Sequence, residues 1–155
     1  MALIVSLTVF SSDPIVLLIV VSAILGGLMA GFFFAYSVSV VLALDTLSGS
    51  DYTLIMQQIN EKVLNVVFGV VFFGAVVVPI GTLVYVLVFG EWTSARSLLF
   101  ITGLVIYLLG TFVVTMRVHI PMNNEIATWS PDSPHDGWEE VRTRWARWNH
   151  VRAAS

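Results

Sequence analysis

The 155-residue sequence contains no cysteine and only a few charged residues. Without cysteine, the chain has no disulfide bond, no thiolate nucleophile and no cysteine-ligated zinc or iron–sulfur cluster. Charged residues make up 11% of the chain and hydrophobic residues 57%, and the mean hydropathy is +0.91. Because soluble domains carry roughly a quarter charged residues, this composition predicts a small integral membrane protein.

No charged residue interrupts three long apolar stretches, which cover roughly residues 14–44, 63–89 and 98–116. About 20 apolar residues are enough for a helix to cross the hydrocarbon core of a bilayer. We therefore expect an all-α transmembrane helical bundle, in which residues 1–155 form a single membrane domain inserted in the lipid bilayer. Asp13 and Pro14 are typical of the start of the first helix. The lack of charge within the spans argues against an ion pump.

Basic residues are scarce and unevenly distributed. There are seven, they are scattered or C-terminal, and the net charge is −3, which argues against nucleic acid as a partner. One side of the bundle has only Arg96, and the other side has Lys62, Arg117, Arg142, Arg144, Arg147 and Arg152. Because cytoplasmic flanks carry the excess of positive charge, we expect a cell-membrane protein with its N-terminus outside and its C-terminal segment in the cytoplasm.

Small residues recur every four positions in the first span, at Ala23, Gly27 and Gly31. Such a stripe lets two membrane helices approach closely. It predicts helix packing, either within the chain or in a homo-oligomer or membrane complex, although a chance spacing of glycines would look the same. In the second span, Pro79 predicts a kink that serves packing or, in a transporter, a substrate site.

The segment after the third span, residues 120–155, is more polar and should end in an amphipathic helix. Pro121 predicts that the regular helix of the third span ends near His119 or Ile120. Further on, Trp138, Val141, Trp145 and Trp148 follow one another at steps of three, four and three, which forms one apolar stripe. Either this helix lies in the lipid headgroup region, or its aromatic face closes a pocket where flat aromatic ligands stack.

All three histidines, His119, His135 and His150, lie on the same side of the predicted bundle. No two of them stand four residues apart on one helix and no His-Glu-x-x-His run exists, so we predict no metal site. His119 differs from the others because it lies at the end of a span. It is either a general base or an interfacial histidine with a backbone partner.

Three segments resemble one known family. They are residues 31–40 (GFFFAYSVSV), residues 118–127 (VHIPMNNEIA) and residues 145–152 (WARWNHVR). The family is that of the anthrone-oxygenase-like proteins, which are small multi-pass membrane proteins. Its members generally have a fourth span after the final arginine, so the resemblance implies a fourth span following Ser155.

The resemblance also implies an activity, namely oxidation of a lipophilic, anthrone-type aromatic by O2 without a cofactor. Carried over by position, His119 would be the base, and Arg152 would stabilise negative charge. The amides that would hold oxygen atoms are those of Asn123, Asn124 and Asn149. The side chains expected to line the ring pocket are Tyr36, Trp138, Trp145 and Trp148. The alternative is a non-catalytic membrane subunit or scaffold of a larger complex.

Overall fold

The computed structural model describes residues 14–155, and this part of the chain folds into five helices. These are α1 (Pro14–Leu44), α2 (Gly49–Val63), α3 (Val66–Phe89), α4 (Ala95–Ile126) and α5 (Trp138–Ala153). The all-α prediction is confirmed. The predicted cap at Asp13 lies outside the described residues.

Three of the helices, α1, α3 and α4, are long and apolar enough to cross a membrane. At a rise of about 1.5 Å per residue, the 31 residues of α1 exceed the roughly 30 Å of a hydrocarbon core. Their outward side chains are apolar, as lipid contact requires, and Val66 and Leu99 are among the most exposed. The chain is therefore an integral membrane protein with three spans in the described part.

The third span is longer than the sequence predicted. The expected helix end near His119 is wrong, because α4 continues through Pro121 to Ile126. A proline ring clashes with the carbonyl four residues earlier and lacks an N–H group. Here the turns just before it, Leu108–Val113 and Thr115–His119, are π-helical. Such wider turns change which carbonyls are bonded, so the helix passes the proline without ending.

Helices α1 and α3 pack together along much of their length. Met29 and Phe33 of α1 form a buried cluster with Phe72 and Ala75 of α3. The hydroxyl groups of Ser22 and Thr82 lie 3.2 Å apart and cross-link the same two helices. Pro79 is buried inside α3, which remains one helix through it.

After α1 ends at Leu44, the chain continues into α2, which packs on the end of α4 near Ile126. We call this end of the bundle, where Leu44, Val66 and Ile126 lie, the polar end. The side chain of Ser48 caps α2 by accepting the Asp51 N–H at 3.2 Å. Gln57 Nε2 donates to the carbonyl oxygens of Ile126 and Trp129, each at 2.9 Å. Because the last carbonyls of a helix lack intrahelical partners, Gln57 fixes the end of α4 against α2.

Helix α5 enters the bundle instead of lying flat on its surface. It packs against α1 and the π-helical turns of α4, and the hydroxyl groups of Ser155 and Thr111 are 2.9 Å apart. Its inward face is formed by Trp145, Asn149 and Arg152. The headgroup interpretation of this helix is therefore wrong, since the inward face continues beyond the tryptophans to two polar residues.

The stripe of small residues has no helix packed on it within the described chain. Ala23, Gly27 and Gly31 are exposed, and a Cβ atom added at either glycine would meet nothing within 4 Å. Packing of this stripe inside the chain is therefore not found, and packing against another copy or another subunit stays a prediction.

Candidate functional site

Three polar side chains from two distant segments meet in the interior where α5 contacts α1 and α4. His119 is 1% exposed, Asn149 0% and Arg152 7%. The π-helical turn that ends at His119 belongs to α4, and the other two residues lie one turn apart on α5. The sequence predicted all three as site residues, and the structure places them in one cluster.

Asn149 connects α5 to α1. Its Nδ2 group donates to Ser37 Oγ at 2.8 Å and to the Phe33 carbonyl at 3.4 Å. Ser37 lies in the π-helical turn Tyr36–Val40 of α1. A buried amide needs partners for both its NH2 group and its oxygen. The NH2 group of Asn149 is used on α1, so its oxygen is left to accept a hydrogen bond within α5.

Arg152 donates a hydrogen bond to the side-chain oxygen of Asn149. Its Nη2 atom donates to Asn149 Oδ1 at 2.8 Å and its Nη1 atom to Thr115 Oγ1 at 3.4 Å. The guanidinium carbon lies 4.2 Å from the centre of the Phe33 ring, a distance typical of a cation–π contact. The Nε atom is covered from solvent and has no hydrogen-bond partner.

The charge on Arg152 is not neutralised within the described chain. No carboxylate of residues 14–155 forms an ion pair with it. Burial lowers the pKa of Arg152 to about 9, so the guanidinium remains charged at pH 7. An uncompensated buried cation is costly, and it favours an anionic group nearby.

His119 lies against Trp145, with the ring centres 5.1 Å apart and the planes at 88°. His119 Nε2 is 3.4 Å from the Trp145 carbonyl oxygen. The backbone of Val114 also lies beside the ring, but Nδ1 has no partner with hydrogen-bonding geometry and is covered from solvent. Trp145 is fixed in turn, because its Nε1 group donates to Asn123 Oδ1 at 2.8 Å.

A pocket of about 410 Å³ opens beside this cluster, and residues of all five helices line it. Its volume is in the range of small-molecule sites. Most of the lining is apolar, including Phe32, Phe68 and Phe72. The lining also contains two residues of the cluster and polar or aromatic side chains near them, namely His119, Arg152, Tyr36, Thr115, Asn123 and Trp145.

The sequence did not predict three polar residues of this pocket, Asn60, Asn65 and Thr115. Asn60 of α2 lines it, and its Nδ2 group is covered from solvent without a hydrogen-bond partner. In the sequence, Asn60 looks like part of the wet face of an interfacial helix. Only the packing of α2 onto the end of α4 turns it inward. The sequence also did not predict the roles of Phe33, Ser37 and Thr115, because these roles depend on contacts with α5.

Several predicted site residues lie elsewhere. Asn124 is exposed, and Trp148 is half-buried outside the pocket. Trp138 packs on Tyr52 with ring centres 5.7 Å apart. His135 stacks on Trp129 at 4.9 Å. No group of histidine, aspartate and glutamate side chains within residues 14–155 could hold a metal ion.

The fold and the pocket define a class of protein: a helical integral membrane protein whose candidate site combines a buried histidine, a buried arginine and aromatic walls. Residues 64–155, more than half of the chain, match the family described as Anthrone oxygenase. The chain therefore belongs to the anthrone oxygenase family, as the resemblance of residues 118–127 and 145–152 predicted. No curated protein and no solved structure matches the chain.

Proposed function

We propose that this protein is a membrane-bound oxygenase that oxidises a lipophilic, anthrone-type aromatic with O2 by base-assisted carbanion formation. One observation carries the proposal: a buried histidine and a buried arginine that has no carboxylate partner among residues 14–155 line the same aromatic pocket. The family match supports it. The excess of basic residues at the polar end supports a cytoplasmic position for that end.

The chemistry needs a base and a site for negative charge. A base removes a proton from the ring CH2 group, and the electron pair spreads into the ring and onto its oxygen. The anion gives one electron to O2, and the resulting radical pair combines to a peroxide that takes up a proton. The O–O bond then breaks as the second hydrogen leaves the carbon. The net change converts CH2 and O2 into C=O and H2O, and the carbanion itself is the reductant.

His119 is the proposed base. A carbonyl oxygen only accepts hydrogen bonds, so its contact with Trp145 favours the tautomer with the proton on Nε2. This tautomer leaves a lone pair on Nδ1. Because Nδ1 is covered from solvent, proton transfer requires the ring to turn toward the ligand. Apo geometry is often looser than that of the substrate complex.

Arg152 is the proposed partner of the ligand's negative oxygen. Its charge has no carboxylate partner among residues 14–155, and its Nε group is unused. Asn60 and Asn123 line the same pocket and are proposed as amide donors to ligand oxygens. Asn149 is already engaged at both ends of its amide, so we propose that it positions Arg152.

The test is O2 consumption by the purified protein with 1,8-dihydroxyanthrone in air, corrected for the rate with heat-inactivated protein. We expect His119→Ala to lower the protein-dependent rate about 100-fold, within the usual contribution of a general base. His150→Ala is the control, because His150 is exposed. An unchanged rate in His119→Ala would show that the base assignment is wrong. Binding of 1,8-dihydroxyanthraquinone verifies that the variant pocket is intact.

The alternative function, a non-catalytic membrane subunit, is favoured by the unpacked stripe of small residues. Ala23 and Gly27 line a groove of about 740 Å³ between α1 and α4, with Pro79 of α3 beside it. A membrane helix of another chain could approach closely there. This function predicts detergent-resistant oligomers that dissociate in Gly27→Leu and persist in Gly81→Leu, together with no protein-dependent O2 consumption.

A further inference from the structure

We propose that the ligand of this pocket enters from within the bilayer, through an opening between α3 and α4. We call this opening the lipid portal and define it by Leu64, Phe73, Met116 and Ile120. The inference rests on the proposed function, because it assigns a route and a ligand class to the same pocket. The class is a flat, membrane-dissolved aromatic that carries one acidic oxygen.

The opening exists because α3 and the second half of α4 diverge. Helix α3 packs on α1 and on the Ala95–Tyr107 part of α4, but hardly touches the part that carries His119. The pocket occupies the space between them. Both helices are candidate spans, so a gap between them faces lipid.

The side chains of the lipid portal are both exposed and part of the pocket lining. Leu64 is 80% exposed, Phe73 61%, Met116 42% and Ile120 40%. All four are apolar, which suits passage of a lipophilic molecule. A ligand can therefore exchange between lipid and pocket without crossing water.

The inner wall of the pocket determines which lipophilic molecule is retained. Arg152 lines the pocket and has no carboxylate partner among the described residues. An acidic phenol or enol brings the missing negative charge, and its apolar rings contact Phe68 and Phe72 in the wall. A purely hydrocarbon ligand would leave the arginine unpaired, so the charge favours the acidic class.

The experiment uses single-cysteine variants, because the chain has no cysteine of its own. Phe73→Cys and Met116→Cys place a thiol in the lipid portal. Val77→Cys and Val113→Cys are matched controls, since these residues are 65% and 43% exposed on the same two helices and do not line the pocket. Each variant is labelled with N-(1-pyrenyl)maleimide in vesicles. Association of 1,8-dihydroxyanthraquinone is then followed by quenching of tryptophan fluorescence.

We expect the label at residues 73 and 116 to slow association at least tenfold relative to the same variant without label, with no change on labelling either control. Equal rates for labelled portal and control variants would overturn the proposal. A second measurement needs no variant: in the unmodified protein the rate should follow the mole fraction of probe in the bilayer as lipid is added. A rate that follows the aqueous concentration would also overturn it.

The proposed function fails independently of these results. Label-sensitive binding without any protein-dependent O2 consumption would support the lipid portal and contradict the oxygenase. O2 consumption that is insensitive to the label would support the oxygenase and contradict the lipid portal.

Discussion

Replacing Arg152 by methionine should separate ligand binding from stability. Methionine keeps an unbranched apolar stem but ends before the position of the guanidinium group, so the charge is removed. Burial lowers the pKa of Arg152 from 12.5 to about 9. At about 1.4 kcal/mol for each tenfold change in proton affinity, the buried charge is unfavourable by on the order of 5 kcal/mol, and the substitution removes this penalty.

The substitution also removes favourable contacts. The hydrogen bond to Asn149 Oδ1 is lost and leaves a buried acceptor unpaired, which costs about 1–3 kcal/mol. The contact with the Phe33 ring, worth about 2 kcal/mol when desolvated, is lost as well. These losses nearly cancel the gain, so we expect the free energy of unfolding to change by less than about 2 kcal/mol. For a chain of this size, that is a shift of at most about 8 °C in the melting temperature.

Binding of an acidic ligand should respond much more strongly. A hydrogen bond to a charged group is worth about 1.5–3 kcal/mol, and tenfold in affinity corresponds to about 1.4 kcal/mol. Arg152→Met should therefore weaken binding of 1,8-dihydroxyanthraquinone by about 10- to 100-fold. The assay is a binding titration together with a thermal melt in detergent. Arg147→Met is the control, because Arg147 is exposed on the same helix.

The opposite pattern would refute this reasoning. If Arg152 serves only to hold α5 in place, its removal should lower the free energy of unfolding by more than about 4 kcal/mol, as when a buried hydrogen-bond network is broken. Ligand affinity per folded molecule would then be unchanged.

The remaining predictions concern the polar end. Burial raises the pKa of Tyr52, whose hydroxyl group has no partner. A raised folded-state pKa gives stability that is complete below pH 10 and declines above it, so Tyr52→Phe should reduce this loss of stability at alkaline pH. Because the substitution also removes a buried hydroxyl group without a partner, it should stabilise the protein by about 1 kcal/mol at pH 8. Melting temperatures at pH 8 and pH 11 that match wild type would contradict this. A Cβ atom at Gly49 would lie 2.8 Å from Pro134 and 2.9 Å from the Trp138 ring. Gly49→Ala should therefore destabilise by about 1–3 kcal/mol, whereas Gly103→Ala, which meets nothing within 4 Å, should not, as compared by melting temperature.

Helix boundaries followed from the sequence where the local signal was complete. The uncharged stretch of residues 14–44 is one helix, and α3 ends at Phe89 as predicted. The signal at Pro121 was misleading, since the sequence does not reveal that π-helical turns relieve the clash of a proline ring. The start of α3 also differs, because Asn65 caps it by accepting the Phe68 N–H at 3.0 Å. Val63 is the last residue of α2, and Leu64 and Asn65 form the junction.

The candidate site was partly predictable. His119, Asn149 and Arg152 lie in segments that resemble the family, and their residue types suit a base and an anion site. The sequence could not show that Asn123 lines the pocket and Asn124 does not. Adjacent residues of the same type differ only in the direction that they face on the folded helix. Asn60 carried no sequence signal, since an amide on an amphipathic helix is satisfied equally well by water.

The sequence alone determined that the chain is helical and lies in a membrane, because long apolar runs without charge are stable only where their backbone bonds are satisfied internally and their side chains meet lipid. Only the tertiary structure decided that α5 enters the bundle. The polar face of α5 can be satisfied by water at the surface or by Ser37, Phe33 and Thr115 inside, and these partners come from helices more than 30 residues away in the chain. Local periodicity fixes which side chains share a face, whereas the groups that this face meets depend on the packing of the whole bundle.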